Sequence, residues 1–152
     1  MPIPPESNRL RIGRYGEVNR IYHITLVTRE REPLFKDWHS ARHVISSLKK
    51  AQSENSATSL CWVIMPDHLH WLIELHVNDL SRVVARMKSR STVELNRHLS
   101  RKGQLWQQGF HDRALRNADD LKTVARYIVA NPLRAGLVTK VGDYPMWDAV
   151  WL

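Results

Sequence analysis

Apolar and polar positions along the chain alternate with two different periods, and the change from one to the other marks out its elements. Over 21–28 the run Ile-Tyr-His-Ile-Thr-Leu-Val-Thr has the period of two of a β-strand, with Tyr22, Ile24 and Leu26 on one face and His23 and Thr25 on the other. From Asp37 to Ser53 the period lengthens to that of a helix. Trp38, Ala41, Ile45 and Leu48 recur at helical spacing behind Asp37, whose carboxylate suits an N-cap. Ser59 to Met65 is apolar on both faces, as an interior strand is. Pro66-Asp67 then turns the chain into a strand that carries two histidines, so the pair forms an antiparallel hairpin. Asp79 to Leu99 is a second amphipathic helix, with Leu80, Val83, Val84, Met87 and Leu95 inward and Arg82, Arg86 and Arg90 along another side. Leu105 to Arg116 suits an extended segment with a glycine bulge. Asn117 caps a third helix over Asp119 to Asn131, with Asp119 and Asp120 in its first turn and Leu121, Val124, Ala125, Ile128 and Val129 as its apolar stripe.

Strand, helix, strand, strand, helix, strand, with a further helix appended, predicts an α+β fold of the split βαβ or ferredoxin-like pattern (βαββαβ). Such a fold is an antiparallel sheet with two helices packed on one face. The 152 residues are expected to form a single domain without internal repeats or linkers, with 1–20 a basic arm and 139–152 a C-terminal tail.

Composition changes this picture in one respect. Lys and Arg number 23 against 15 Asp and Glu, a net charge of +8. That excess in a small domain suits a polyanion, nucleic acid ahead of an anionic membrane surface, although a solubilising charge has the same signature. Cys61 is the single cysteine, which excludes an internal disulfide and fits a reducing compartment. No run has the length or composition of a membrane span or a signal peptide, so a cytoplasmic protein without a membrane partner is expected.

The candidate chemistry lies in two places. In Met65-Pro66-Asp67-His68-Leu69-His70-Trp71-Leu72-Ile73-Glu74-Leu75, alternation sends His68, His70 and Glu74 one way and Leu69, Trp71, Ile73 and Leu75 the other. Two imidazoles projecting from a rigid strand make half of a metal site and need a third ligand from elsewhere. A polar surface strand can carry the same pair. On the third helix, Tyr127 and Asn131 stand four apart on a face off the apolar stripe, and Pro132 should force the backbone out at or just after Asn131. A tyrosine flanking such a stripe is more often a packing residue with its hydroxyl in water. Of the six tryptophans, Trp62 and Trp71 lie within strands as core, whereas Trp147 and Trp151 are free to stack on bases.

Met65-Pro66-Asp67-His68-Leu69-His70 resembles the His-hydrophobic-His signature of the HUH single-strand nucleases. Tyr127-Ile128-Val129-Ala130-Asn131-Pro132-Leu133-Arg134-Ala135-Gly136-Leu137-Val138 resembles the tyrosine-helix motif of one branch, the REP-associated tyrosine transposases. Leu105 to Arg113 and Asp143-Tyr144-Pro145 are similar to further stretches of that branch, and the likeness is colinear from about Tyr22 to Pro145. It implies the same ferredoxin-like fold and, residue by residue, His68 and His70 as metal ligands, Asn131 as a third ligand through its amide oxygen, and Tyr127 as nucleophile. Asp67 stands where many members have Asn.

The activity so implied is a metal-dependent cleavage and rejoining of single-stranded DNA near REP-type hairpins through a 5′-phosphotyrosine. Mg²⁺ or Mn²⁺ is the cofactor expected, although the ligand set does not by itself exclude Zn²⁺. Hairpin DNA would be the partner, touched along its backbone by Arg9, Arg11, Arg14 and Arg20 of the arm and by Arg82, Arg86 and Arg90. The branch is expected to act as a monomer at the bacterial nucleoid, while the insertion-sequence relatives pair helices between subunits as dimers. Glu74 receives no role. Two other classes compete. A non-catalytic single-strand or hairpin-binding module would need exposed aromatics at the sheet centre, where His23, Thr25, His68 and His70 stand instead. A small zinc hydrolase is disfavoured by the charge and by the lack of a Glu placed as base beside the histidines.

Overall fold

The structure, a computed structural model, describes residues 17–116 and 118–150. Its strands are β1 (Ile21–Val27), β2 (Ala57–Met65), β3 (His68–Leu75), β4 (His111–Ala114) and β5 (Trp147–Ala149). Its helices are α1 (Trp38–Ser53), α2 (Leu80–Leu99), α3 (Ala118–Val129) and α4 (Asn131–Arg134). The strands form one sheet in the order β4-β1-β3-β2-β5, antiparallel throughout. The first four follow the order of the split βαβ pattern, so the α+β expectation holds. β5 is an addition: three residues assigned to a tail pair with Cys61, Trp62 and Val63 at the free edge of β2. Tyr144, two residues upstream of Met146, fastens this segment by donating its hydroxyl to Ile64 O at 2.5 Å.

Helix starts follow the expected chemistry. Asp37 accepts from the His39 N–H and Asp79 from the Arg82 N–H, each cap stabilising its helix by about 1 kcal/mol. The buried side of α2 is the stripe read from the sequence, joined by Ser91, whose Oγ accepts from Trp106 Nε1 at 2.9 Å. That of α1 differs. Ala41, Val44, Leu48 and Ala51 are buried together with Ser40 and Ser47, whereas Ile45 is only partly covered and Trp38 is 42% exposed. Small side chains let α1 approach α2 and β2, and Trp38 stands at the first residue of the helix.

Pro132 does not end the tyrosine helix in the expected way. The chain pauses at Ala130 and resumes as α4, with Pro132 in its first turn, where a missing N–H costs nothing. The extended segment after Leu105 is present, with Gly109 at φ 76° and β4 pairing with β1. The expected cap Asn117 and the side chain of Asp119 lie outside the described residues.

Residues opposite one another in the ladders share a face. Ile24, Leu26, Leu69, Trp71 and Ile73 are all but fully buried on the apolar face of the sheet, each contributing roughly 1.5–3 kcal/mol of hydrophobic stabilisation. Trp62 and Trp71 are core, as expected. The other face is not wholly open. Leu72 lies on it and is fully buried, as are Cys61 and Val63 opposite Leu72 and His70, because α3 packs against β2 and β5 there. Near β1 this face carries partly exposed polar side chains, among them His23, Thr25, His68 and His70.

Candidate active site

His68 begins β3 directly after the turn, and His70 follows on the same face. Their ring centroids are 5.1 Å apart and the rings nearly perpendicular. His68 Nδ1 lies 2.7 Å from Asp67 Oδ1, and Asp67 Oδ2 accepts from Arg31 at 3.2 Å. Burial alone would raise the Asp67 carboxyl, but its hydrogen bonds to His68 and Arg31 outweigh burial and hold it below its ordinary value. His70 Nδ1 lies 2.9 Å from His23 Nε2 and 3.2 Å from Thr25 Oγ1, neighbours brought in by the pairing of β1 with β3. Burial pushes His70 down to about 3, with the charges of His23, His68 and Arg134 adding to the effect. Burial, then Arg113, pushes His23 down to about 4. His23 and His70 are therefore neutral near pH 7, the state in which an imidazole can ligate a cation.

The described residues contain no group of three or more His, Cys, Asp and Glu side chains able to hold a metal. Asn131, at the start of α4, donates its Nδ2 to Ile128 O at 3.2 Å, which leaves Oδ1 as the acceptor end. Two imidazoles and an amide oxygen fit a divalent cation by donor chemistry.

Tyr127 projects from the outer side of α3 and is 54% exposed, while Ala125 and Ile128 bury the inner side. Its ring is covered by Arg134, whose guanidinium carbon lies 3.8 Å from the ring centroid and whose Nη2 donates to the Tyr127 carbonyl at 2.7 Å. Arg134 is also close enough for its charge to act on His70.

The arginines are placed differently. Arg82, Arg86 and Arg90 ride on α2, which packs beside α1 on the apolar face of the sheet, away from the histidines. Arg90 donates to Glu54 at 2.6 Å and Arg86 stands 4.0 Å from the same carboxylate. Arg20 pairs with Glu17 at 3.1 Å. Arg9, Arg11 and Arg14 lie outside the described residues. Glu74 shares the face of His68 and His70 at the far end of β3. Sequence reasoning did not identify Asp67, His23, Thr25 or Arg134 as members of the site. Alternation had placed His23 and Thr25 on the right face, but the register that sets Thr25 against His70 is a long-range pairing.

The family described as "Transposase IS200 like" matches this chain over residues 17–131, a span that contains His68, His70, Tyr127 and Asn131. The chain belongs to the IS200-like transposase family, whose members are enzymes. Within that class its relatives are narrower. The REP-associated tyrosine transposase of Escherichia coli (strain K12) is 27% identical over 124 residues, 80% of this chain and 70% of its own. The structure of a REP-associated tyrosine transposase bound to a REP hairpin matches with a TM-score of 0.72 at 26% identity, covering 88% of this chain and 79% of that one. The resemblance carried by the histidine and tyrosine motifs is thereby borne out. A bacterial tRNA(His) guanylyltransferase-like protein in complex with GTP matches with a TM-score of 0.53 at 15% identity, over 86% of this chain and 68% of that one, and shares the fold alone.

Proposed function

We propose that this protein is a metal-dependent single-stranded DNA endonuclease and strand transferase that acts beside REP-type hairpins through a 5′-phosphotyrosine intermediate. The observation that supports this reading is the packing of α3 and α4 against β2, whose Val63 lies opposite His70, with Arg134 over the Tyr127 ring. The candidate nucleophile and the candidate metal ligands are read as parts of one site. In this reading His68, His70 and the Asn131 amide oxygen hold Mg²⁺ or Mn²⁺, which supplies Lewis acidity to the scissile phosphate. The chain itself supplies the nucleophile. The Tyr127 hydroxyl gives up its proton and its oxygen bonds to phosphorus, the bond from phosphorus to the 3′ oxygen breaks, and that oxygen leaves as a 3′ hydroxyl after taking a proton. One ester replaces another, so a 3′ hydroxyl can attack the adduct and rejoin the strand. Backbone contacts to the hairpin fall first to Arg20 and the arm residues Arg9, Arg11 and Arg14. Arg82, Arg86 and Arg90 are weaker candidates because α2 packs beside α1 on the side of the sheet away from the histidines. No helix among the described residues is long and apolar enough to cross a membrane. We place the protein in the cytoplasm at the nucleoid, acting as a monomer.

The test is incubation with labelled single-stranded REP-type hairpin DNA and Mn²⁺, followed by a denaturing protein gel. A covalent adduct is expected, absent in Tyr127→Phe and on chelation. Tight, metal-independent hairpin binding with no adduct would overturn the reading in favour of a binding module.

A further inference from the structure

Met65 pairs with His68, so Pro66-Asp67 is a two-residue turn and Asp67 is its second residue. A turn aspartate commonly bonds its own backbone two residues on. This one is directed elsewhere. Its Oδ1 meets His68 Nδ1 at 2.7 Å, its Oδ2 meets Arg31 at 3.2 Å, and its carbonyl accepts the N–H and Oγ1 of Thr28 at 3.0 and 3.1 Å. An ionised carboxylate can only accept, so the proton in the short contact must sit on His68 Nδ1. A ring that carries its proton on Nδ1 keeps its lone pair on Nε2.

His70 is set differently. Its Nδ1 neighbours, His23 Nε2 and Thr25 Oγ1, can each donate or accept, so they do not dictate a tautomer. Of the two histidines on the strand, His68 is the one whose proton is assigned by its surroundings.

Resting on the metal-dependent reading above, we propose that Asp67, backed by Arg31, is a positioning residue that holds His68 in the tautomer presenting Nε2 to the divalent cation. A carboxylate behind a ligating imidazole fixes its orientation and raises its basicity, and loss of such a partner typically weakens metal affinity about 10–100-fold.

The experiment uses the full chain without DNA. Mn²⁺ is titrated into the wild type, Asp67→Ala and Asp67→Asn, and ¹⁵N NMR of the histidine rings is recorded before metal is added. His68 of the wild type is expected as the Nδ1–H tautomer. Asp67→Ala should weaken Mn²⁺ binding about 10–100-fold and let the two tautomers mix. Asp67→Asn keeps an acceptor oxygen at the same place, so it should retain the tautomer and lose less affinity. It also guards against an Ala variant that disturbs the turn. Unchanged Mn²⁺ affinity in a folded Asp67→Ala, or an Nε2–H His68 in the wild type, overturns the proposal. A wild type that takes up no Mn²⁺ while His68 shows the Nδ1–H form instead overturns the metal reading on which the proposal rests, and the two failures are thus distinguishable.

Discussion

Two groups of three histidines stand on opposite sides of this molecule, and distance alone hardly tells them apart. On the sheet, the rings of His68 and His70, and of His23 and His70, have centroids 5.1 Å apart. Between α1 and α2, His43 and His98 are 5.0 Å apart, and His39 and His98 6.4 Å. Surroundings separate them. The strand histidines are largely buried, and His68 and His70 have named partners for their Nδ1 atoms. The helix histidines line a solvated groove of about 600 Å³ with Arg42, Ser46, Glu94 and Arg97, and the nearest acid contact, His43 to Glu94, is 3.6 Å. The helix rings stand on a solvated surface, whereas the rings of His68 and His70 meet partners at Nδ1 at 2.7 and 2.9 Å. Preorganisation, more than proximity, is what makes a histidine cluster a candidate for chemistry.

The largest expected contrast is in adduct formation. His70→Ala should lower it by roughly 10³-fold, because the ligand set loses a member worth several kcal/mol in the transition state, whereas His98→Ala should stay within about twofold. Equal losses in the two variants would dissolve the distinction. Next comes pH. His23 and His70 sit below the value of 6.5 for an ordinary histidine, at about 4 and about 3. Between pH ~6.5 and ~4 the unfolded chain binds protons that the folded chain does not, so stability falls as pH falls, by on the order of a few kcal/mol for the two rings together. Urea unfolding of the metal-free protein at pH 7 and pH 4.5 measures this, and equal stability at the two values would refute it. A smaller effect is expected at the junction. Arg134→Ala removes the cation–π contact and one hydrogen bond, which together stabilise by about 1–2 kcal/mol, and should slow adduct formation about fivefold or more. An unchanged rate would deny Arg134 a part in presenting Tyr127. The smallest effect belongs to the far side. Glu54→Ala frees Arg86 and Arg90 yet should leave the salt dependence of hairpin binding unaltered, and a steeper salt slope would bring α2 back as a DNA surface.

The elements that were legible in the sequence are those long enough to show a period. β1, the β2–β3 hairpin, α2 and the stripe of α3 came through because burial follows alternation or helical spacing directly. β5 did not, since three residues are too few to show a period and their pairing depends on the distant Cys61 to Val63. Nor did the sequel to Pro132, because proline stops one helix and starts another with equal ease. At the site, His68, His70, Tyr127 and Asn131 were marked by spacing and motif. The contacts around them rest on register and on side chains from other elements: His23 against His70, Arg31 on Asp67, Arg134 over Tyr127. The arginine row on α2 was visible as a row, but Glu54, which answers it, arrives from the end of α1.

The two-residue turn between β2 and β3 also bears on how the molecule is made. It closes the shortest loop in the sheet, so this hairpin carries the lowest chain-entropy cost of any strand pairing, whereas β1 must find β3 across the whole of α1 and β2. The hairpin is then the natural nucleus, and β3 becomes the template on which β1 assembles. On that order His68 and its turn are in place before His23 arrives.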